Sequence, residues 1–391
     1  MQRTRFMSFK KVAIPLVVIA TIIIGFIIFK HDISVPNVAQ KLAERSIEQT
    51  SLGEHKQPVK VITKNTQNEK FKRFSVQKPF TAITKDPIIT VCENPFEEIN
   101  ALERTQLEAE NSRLVKVITK TPTLDSEFTN LFINNFDEAA QLENMKQLSN
   151  KYKDNPLVSY ALMSLCASGK HNCSTELVTS TINKIPNNGA AWLLAAMYHA
   201  TNYDHKAAES AMIEVSKSSS FDDHFSDYLT TISTAYKQAG AVDDKITDKI
   251  AVVYAVSFAP PSYSPLIELC RNTTTTNPTL LQACLTSGTL LEQSSSTVIS
   301  QVIGNNIQQD IFTKLSEFKE LERLKQEKVK IDVMASAYSK SLNLIQRNSS
   351  IYEEWVMKII RNGEIKAAEF AINEAIRISN DPNIDECLVV N

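Results

Sequence analysis

The stretch AWLLAAMYHATNYDHKAAESAMIEVS, residues 191–216, decides how this chain folds. Apolar residues recur at three and four positions on both sides of a polar break at Thr201-Asn-Tyr-Asp204, the pattern of two helices folded back on one another rather than of strands. The same plan stands immediately upstream, where Tyr160 to Gly169 and Ser174 to Pro186 make an equivalent pair. Residues 155–188 and 189–222 are therefore two successive windows of 34 residues, each a predicted helical hairpin.

The helical spacing continues in both directions, from Asn94 to the C-terminus, with breaks at Pro, Gly or Asn clusters. Asn94-Pro95 is expected to open a helix running to about Lys116. Asp125 is expected to cap one that continues to Tyr152, with Phe128, Leu131, Phe132, Phe136 and Leu142 on its buried side. Asn155-Pro156 starts the next, and short loops make neighbours antiparallel. Over 307–330 the spacing predicts one charged helix with Ile307, Ile311, Leu315, Phe318 and Leu321 on a stripe. Such a helix either lies solvated on the body or pairs with a second copy as a short coiled coil, which would make a homo-oligomer. The expected fold class is all-α, either a solenoid of stacked hairpins or an irregular bundle.

Residues 206–215, KAAESAMIEV, and 366–375, KAAEFAINEA, share six of ten positions. Both segments resemble the second helix of a tetratricopeptide repeat, in which a small Ala lets paired helices approach and a bulky residue four later fills the groove. Trp192 stands at the aromatic site of the first helix, Ala195 and Ala196 at the Leu-Gly sites, Ala208 at the small contact site and Met212 at the bulky one. Near the C-terminus Tyr352, Trp355, Val356, Ile359, Gly363, Ala368, Ile372 and Ala375 follow the same pattern. His199 departs from it in place of Tyr and Ser220 in place of Pro, so a generic helical bundle stands beside the resemblance, which spans about 155–260 and 349–382. What the family implies is a binding surface for a protein or peptide, here a groove expected to be lined by Trp192, Tyr198, His199 and Tyr236.

Val12 to Phe29 is an apolar run without charge, preceded by Arg3, Arg5, Lys10 and Lys11. At ~1.5 Å per residue it spans about 27 Å, enough to cross a bilayer. With no small-x-small exit it reads as an uncleaved signal anchor, the alternative being a secretory signal that is removed. The basic side stays in the cytoplasm. Residues 1–11 are then a cytoplasmic tail, 12–29 the membrane span, 30–90 an extended linker carrying Pro36, Pro58, Pro79 and Pro87, and 91–391 an extracytoplasmic helical domain.

All six cysteines lie beyond the anchor, which favours disulfides: Cys166 with Cys173, Cys270 with Cys284, and Cys92 with Cys387 to clasp the ends. A zinc site on Cys166, His171 and Cys173 lacks a second pair at matching spacing. The expected location is a bacterial inner membrane, single-pass, with the body in the periplasm. The sequons at Asn172, Asn272 and Asn348 keep a eukaryotic type II membrane protein as the alternative.

A net charge of −2 leaves no electrostatic footprint for nucleic acid. The eight glycines never fall within 15 residues of one another, so there is no phosphate-cradling loop and no nucleophile elbow. No His-Glu-x-x-His occurs among the six histidines, and Ser316-x-x-Lys319 has no companion motif. Asp222-Asp223-His224 reads as a helix start or as a cation site. No cofactor is implied. The expected function is a non-catalytic, membrane-tethered periplasmic scaffold that binds a protein or peptide; the alternative is an extracytoplasmic hydrolase acting on cell wall or peptide, whose mark would be a deep pocket with two buried acids or a Cys-His pair.

Overall fold

The computed structural model describes residues 101–134, 138–241 and 263–381, with positions 87, 89, 90, 247, 251 and 252 besides. Among the described residues the chain is all-α, with thirteen helices and no strand. They are α1 (Ala101–Ile118), α2 (Leu124–Asn134), α3 (Glu138–Lys151), α4 (Pro156–Ala167), α5 (Thr175–Ile182), α6 (Gly189–Thr201), α7 (His205–Lys217), α8 (Phe225–Gln238), α9 (Ser264–Asn272), α10 (Pro278–Ser294), α11 (Val298–Lys314), α12 (Phe318–Ile345) and α13 (Ser349–Ser379). The expected cytoplasmic tail 1–11, anchor 12–29, nearly all of the linker 30–90, Phe136 and the pair Cys92 and Cys387 lie outside the described residues. No helix among those described is long and apolar enough to cross a membrane.

Local chemistry sets where the helices begin. Asn155, Ser174, Asn188, Asp204, Asn277, Thr297 and Asn348 each turn a side-chain oxygen onto a backbone N–H of the first turn that follows. Pro156 and Pro278 fill early positions where a missing N–H costs nothing. Two expected helices are broken. The one expected from Asp125 to Tyr152 is α2 and α3, ending at Asn134 and restarting at Glu138, although Phe128, Leu131, Phe132 and Leu142 are buried as their spacing requires. The one expected over 307–330 ends at Lys314, and Ser316, at φ 57°, turns the chain out of it. Ile307 and Ile311 go into the core with α11, whereas Phe318 starts α12 and is 76% exposed.

The two hairpins pack as their short loops dictate: α4 on α5, α6 on α7, with α4 and α5 both against α6. Helix α7 packs on α10 and α8 packs on α1, α2 and α13, while α10, α11, α12 and α13 follow one another in contact. With α2 on α3 and α3 on α4, the helices close into a circuit around one apolar core. Helices α10 and α11 approach most closely at Gly288 and Gly304, where a Cβ on Gly304 would stand 2.5 Å from the Glu292 nitrogen and 2.9 Å from the Leu291 Cβ.

The circuit is tied where α8, α11 and α13 meet. His224 precedes α8 in the left-handed conformation at φ 53°, and Asp223 beside it accepts from the Ser296 N–H at 3.0 Å and the Ser296 hydroxyl at 2.5 Å. Glu364 accepts from the Val298 N–H at 2.8 Å, just after Gly363 breaks α13 at φ 80°. The free amides at the start of α11 are thus satisfied by two carboxylates distant in sequence, one from the turn before α8 and one from α13. Both acids are half-buried: desolvation raises Asp223 above its ordinary value and pushes Glu364 up to about 7.

Two expected disulfides are present. Cys166–Cys173 pins the α4–α5 hairpin and Cys270–Cys284 joins α9 to α10. Lys314, from the end of α11, donates to the carbonyls of Cys270, Arg271 and Thr273 and so caps α9 beside the second bond.

Candidate functional site

A surface groove of about 620 Å³ lies across α6 between α5 and α7. It exists because α5 is short. Helix α5 has 8 residues and α7 has 13, and each packs more on α6 than on the other. The floor is one face of α6, Trp192, Ala195 and His199; one wall is Val178 and Ile182 of α5 and the other Ala207 and Ala211 of α7. Thr179, Asn183, Asp204, Lys206, Ser210 and Glu214 form a polar rim.

Several contacts fix this frame. Trp192 Nε1 donates to the Pro186 carbonyl at 2.8 Å, which sets the indole across the floor. Lys184 donates to Ser149 Oγ at 2.9 Å and ties the end of α5 to α3. Asp204 caps α7 through the Ala207 N–H at 3.0 Å and stands 4.0 Å from His199 Nδ1. Burial draws the His199 pKa below its ordinary value, with Asp204 only partly opposing, so the imidazole is neutral near pH 7. Glu214 is paired with Lys217 at 2.5 Å, whereas Lys206 is exposed and its ammonium has no partner.

Of the four residues expected to line a groove, Trp192 and His199 line this one and Tyr198 and Tyr236 do not. Tyr198 points to the other side of α6, buried, with its hydroxyl donating to the Cys173 carbonyl at 2.8 Å. It braces α6 against the disulfide-pinned hairpin. Tyr236 is fully buried on α8 and donates to Asn111 Oδ1 at 2.9 Å, away from the groove. The alanine floor and the Val178–Ile182 wall were not singled out from sequence, although the four-residue spacing of the latter marks a helix face.

Asp222, His224 and Asp227 place one ligand atom each within 4.8 Å of one another. The surrounding hydrogen bonds favour a helix start over a cation site. Asn188 Oδ1 accepts from the Ala190 and Asp222 N–H groups and its Nδ2 donates to the Asp222 carbonyl, so Nδ2 faces His224 Nε2 at 3.4 Å. A neutral His224 therefore accepts at Nε2 and carries its proton on Nδ1, donating to Asp227 at 2.7 Å. Binding a cation at Nδ1 would move that proton to Nε2, against another donor. The two half-buried acids, Asp223 and Glu364, are not among the residues lining the groove; Asp223 accepts from Ser296 just before α11 and Glu364 from the Val298 N–H.

Comparison with family models, curated proteins and solved structures finds no match to this chain.

Proposed function

We propose that this chain is a non-catalytic binding protein, tethered by residues 12–29 to a bacterial inner membrane, whose periplasmic body holds a protein or peptide segment in the α5–α6–α7 groove. The observation that carries this reading is the groove's construction, an apolar floor with a polar rim, immobilised by the Trp192 and Tyr198 hydrogen bonds and by the Cys166–Cys173 bond beneath. On this reading α4–α5 and α6–α7 are two tetratricopeptide-like hairpins: Ala195, Ala196, Ala208 and Met212 are buried at their contact and Trp192 is left partly open to a ligand. Two buried disulfides support an oxidising compartment and hence export of the body.

The test is photocrosslinking in native membranes, with a photoreactive residue at Thr179 or Ser210 of the full-length chain. A discrete cross-linked protein or peptide is expected, and it should disappear when Ala207→Trp fills the groove. Adducts that persist in the filled variant, or none at either position, would refute the reading.

A further inference from the structure

We infer that the occupant of the groove is one amphipathic helix of a partner protein, seated antiparallel to α5 and α7 with an acidic side chain in its last turn against Lys206. The inference rests on the groove being the binding site proposed above and adds the conformation, direction and charge of what enters it.

The first ground is the arrangement of the three helices. Joined by short connections, α5, α6 and α7 alternate in direction, and each of the outer two packs more on α6 than on the other. Three helices so placed leave open the fourth position of an antiparallel four-helix arrangement. The lining residues recur at helix spacing on every wall: 178 and 182 on α5, 192, 195 and 199 on α6, and 207, 211 and 214 on α7. Such rows form ridges and grooves that receive the ridges of another helix, and alanines on two of the surfaces let its backbone come close.

The second ground is charge. At one end of the groove stand the N-terminus of α7 and the unpaired ammonium of Lys206. Asp204 lies there too, accepting from the Ala207 amide and 4.0 Å from His199 Nδ1, so the α7 N-terminus and Lys206 supply the positive sign of this end against one carboxylate. At the other end stand the C-terminal ends of α5 and α7, with Glu214 ion-paired to Lys217. A helix whose N-terminus lies toward Trp192 and Glu214 sets each end of its dipole against the opposite sign, and the reversed helix sets like against like. The exposed lysine then meets the occupant's C-terminal turn, where a carboxylate completes the pair.

The experiment uses the full-length chain in detergent micelles and a labelled synthetic helix of about 14 residues, long enough to be partly helical alone. Its leucines are spaced for one face and a single Glu sits in its last turn; binding is read by anisotropy. Ala207→Trp in the same micelles controls for adsorption to detergent. Binding to the native chain is expected, at least tenfold weaker for a version interrupted by two prolines and absent for Ala207→Trp. Lys206→Glu should weaken it about fivefold, and a peptide with Lys in place of its Glu should recover that loss. Equal binding of the proline version would overturn the helical occupant while leaving the groove reading intact. No loss in Lys206→Glu would overturn the assigned direction. Failure of every peptide would overturn this inference, whereas the groove reading stands or falls by the cross-links.

Discussion

Glu364→Gln tests the tie between α8, α11 and α13. The Glu364 carboxylate is half-buried, accepts from the Val298 N–H, and is pushed by desolvation from 4.5 up to about 7, with Asp223 adding like charge nearby. An acid whose folded pKa lies above its unfolded one binds its proton more tightly in the folded state. Stability is therefore full below about 4.5 and falls as pH rises toward about 7. A gap of roughly 2.5 units corresponds to about 3 kcal/mol between the two ends of that window.

Glutamine keeps an oxygen for the Val298 N–H and cannot ionise, at a cost of about 1 kcal/mol for a buried amide that lacks a full set of partners. The variant should thus be equal to or slightly weaker than the native chain at pH 5 and stronger by about 2 kcal/mol at pH 8. Urea unfolding at both pH values, followed by fluorescence of the buried Trp355, measures it. His224, Tyr160, Tyr228 and Tyr263 are unchanged in the comparison and their titration cancels, whereas Asp223 and Tyr338, which feel the Glu364 charge, shift with it and are part of the measured difference. Native and variant curves that run parallel from pH 5 to 8 would show that the carboxyl is not held as the geometry requires.

Three further outcomes follow from other parts of the fold. Gly304→Ala should cost about 3 kcal/mol, because the added methyl meets the α10 backbone rather than a yielding side chain, and should lower the midpoint of thermal unfolding; an unchanged midpoint would contradict the close crossing. The double variant Cys270→Ser with Cys284→Ser opens a loop with a sequence separation of 14 and should lose roughly 3 kcal/mol in urea unfolding under non-reducing conditions. Lys314→Met removes the donor that caps α9 through three carbonyls and should cost about 1–2 kcal/mol, with faster hydrogen exchange confined to α9 and its following loop.

What could be read from sequence was whatever depends on nearest neighbours along the chain. Asn155, Ser174 and Asn277 announce helix starts because a cap needs only the next three residues, and Cys166–Cys173 and Cys270–Cys284 join helices that adjoin in sequence. The break at Ser316 escaped because the apolar stripe from Ile307 to Phe318 keeps its spacing across it; only the left-handed backbone at 316 shows that the stripe serves two helices. Half of the groove was legible for a related reason. Trp192 and His199 share a face of α6, whereas Tyr198, one residue away, must turn to the opposite side, and no periodicity says which side faces solvent.

The change of packing direction after residue 222 has a specific physical cause. A third hairpin stacked like the first two would bring α8 against α7, but Asp223 is drawn to the start of α11 and His224 turns left-handed behind it, so α8 leaves toward α13 and α2. Helix α10 takes the vacated flank of α7, where Ser287 reaches the Met212 sulfur. Asp223, half-buried and bonded to a turn some seventy residues downstream, thus spends its charge on redirecting the chain. The groove depends on that diversion only indirectly: α10 supports α7 on the flank that a continuing stack would have covered, while the face of α7 toward α5 stays open. Weakening the joint should therefore loosen α8 and α13 before it disturbs the groove, and hydrogen exchange in Asp223→Asn should rise in α8 and α13 while α5 and α6 stay protected.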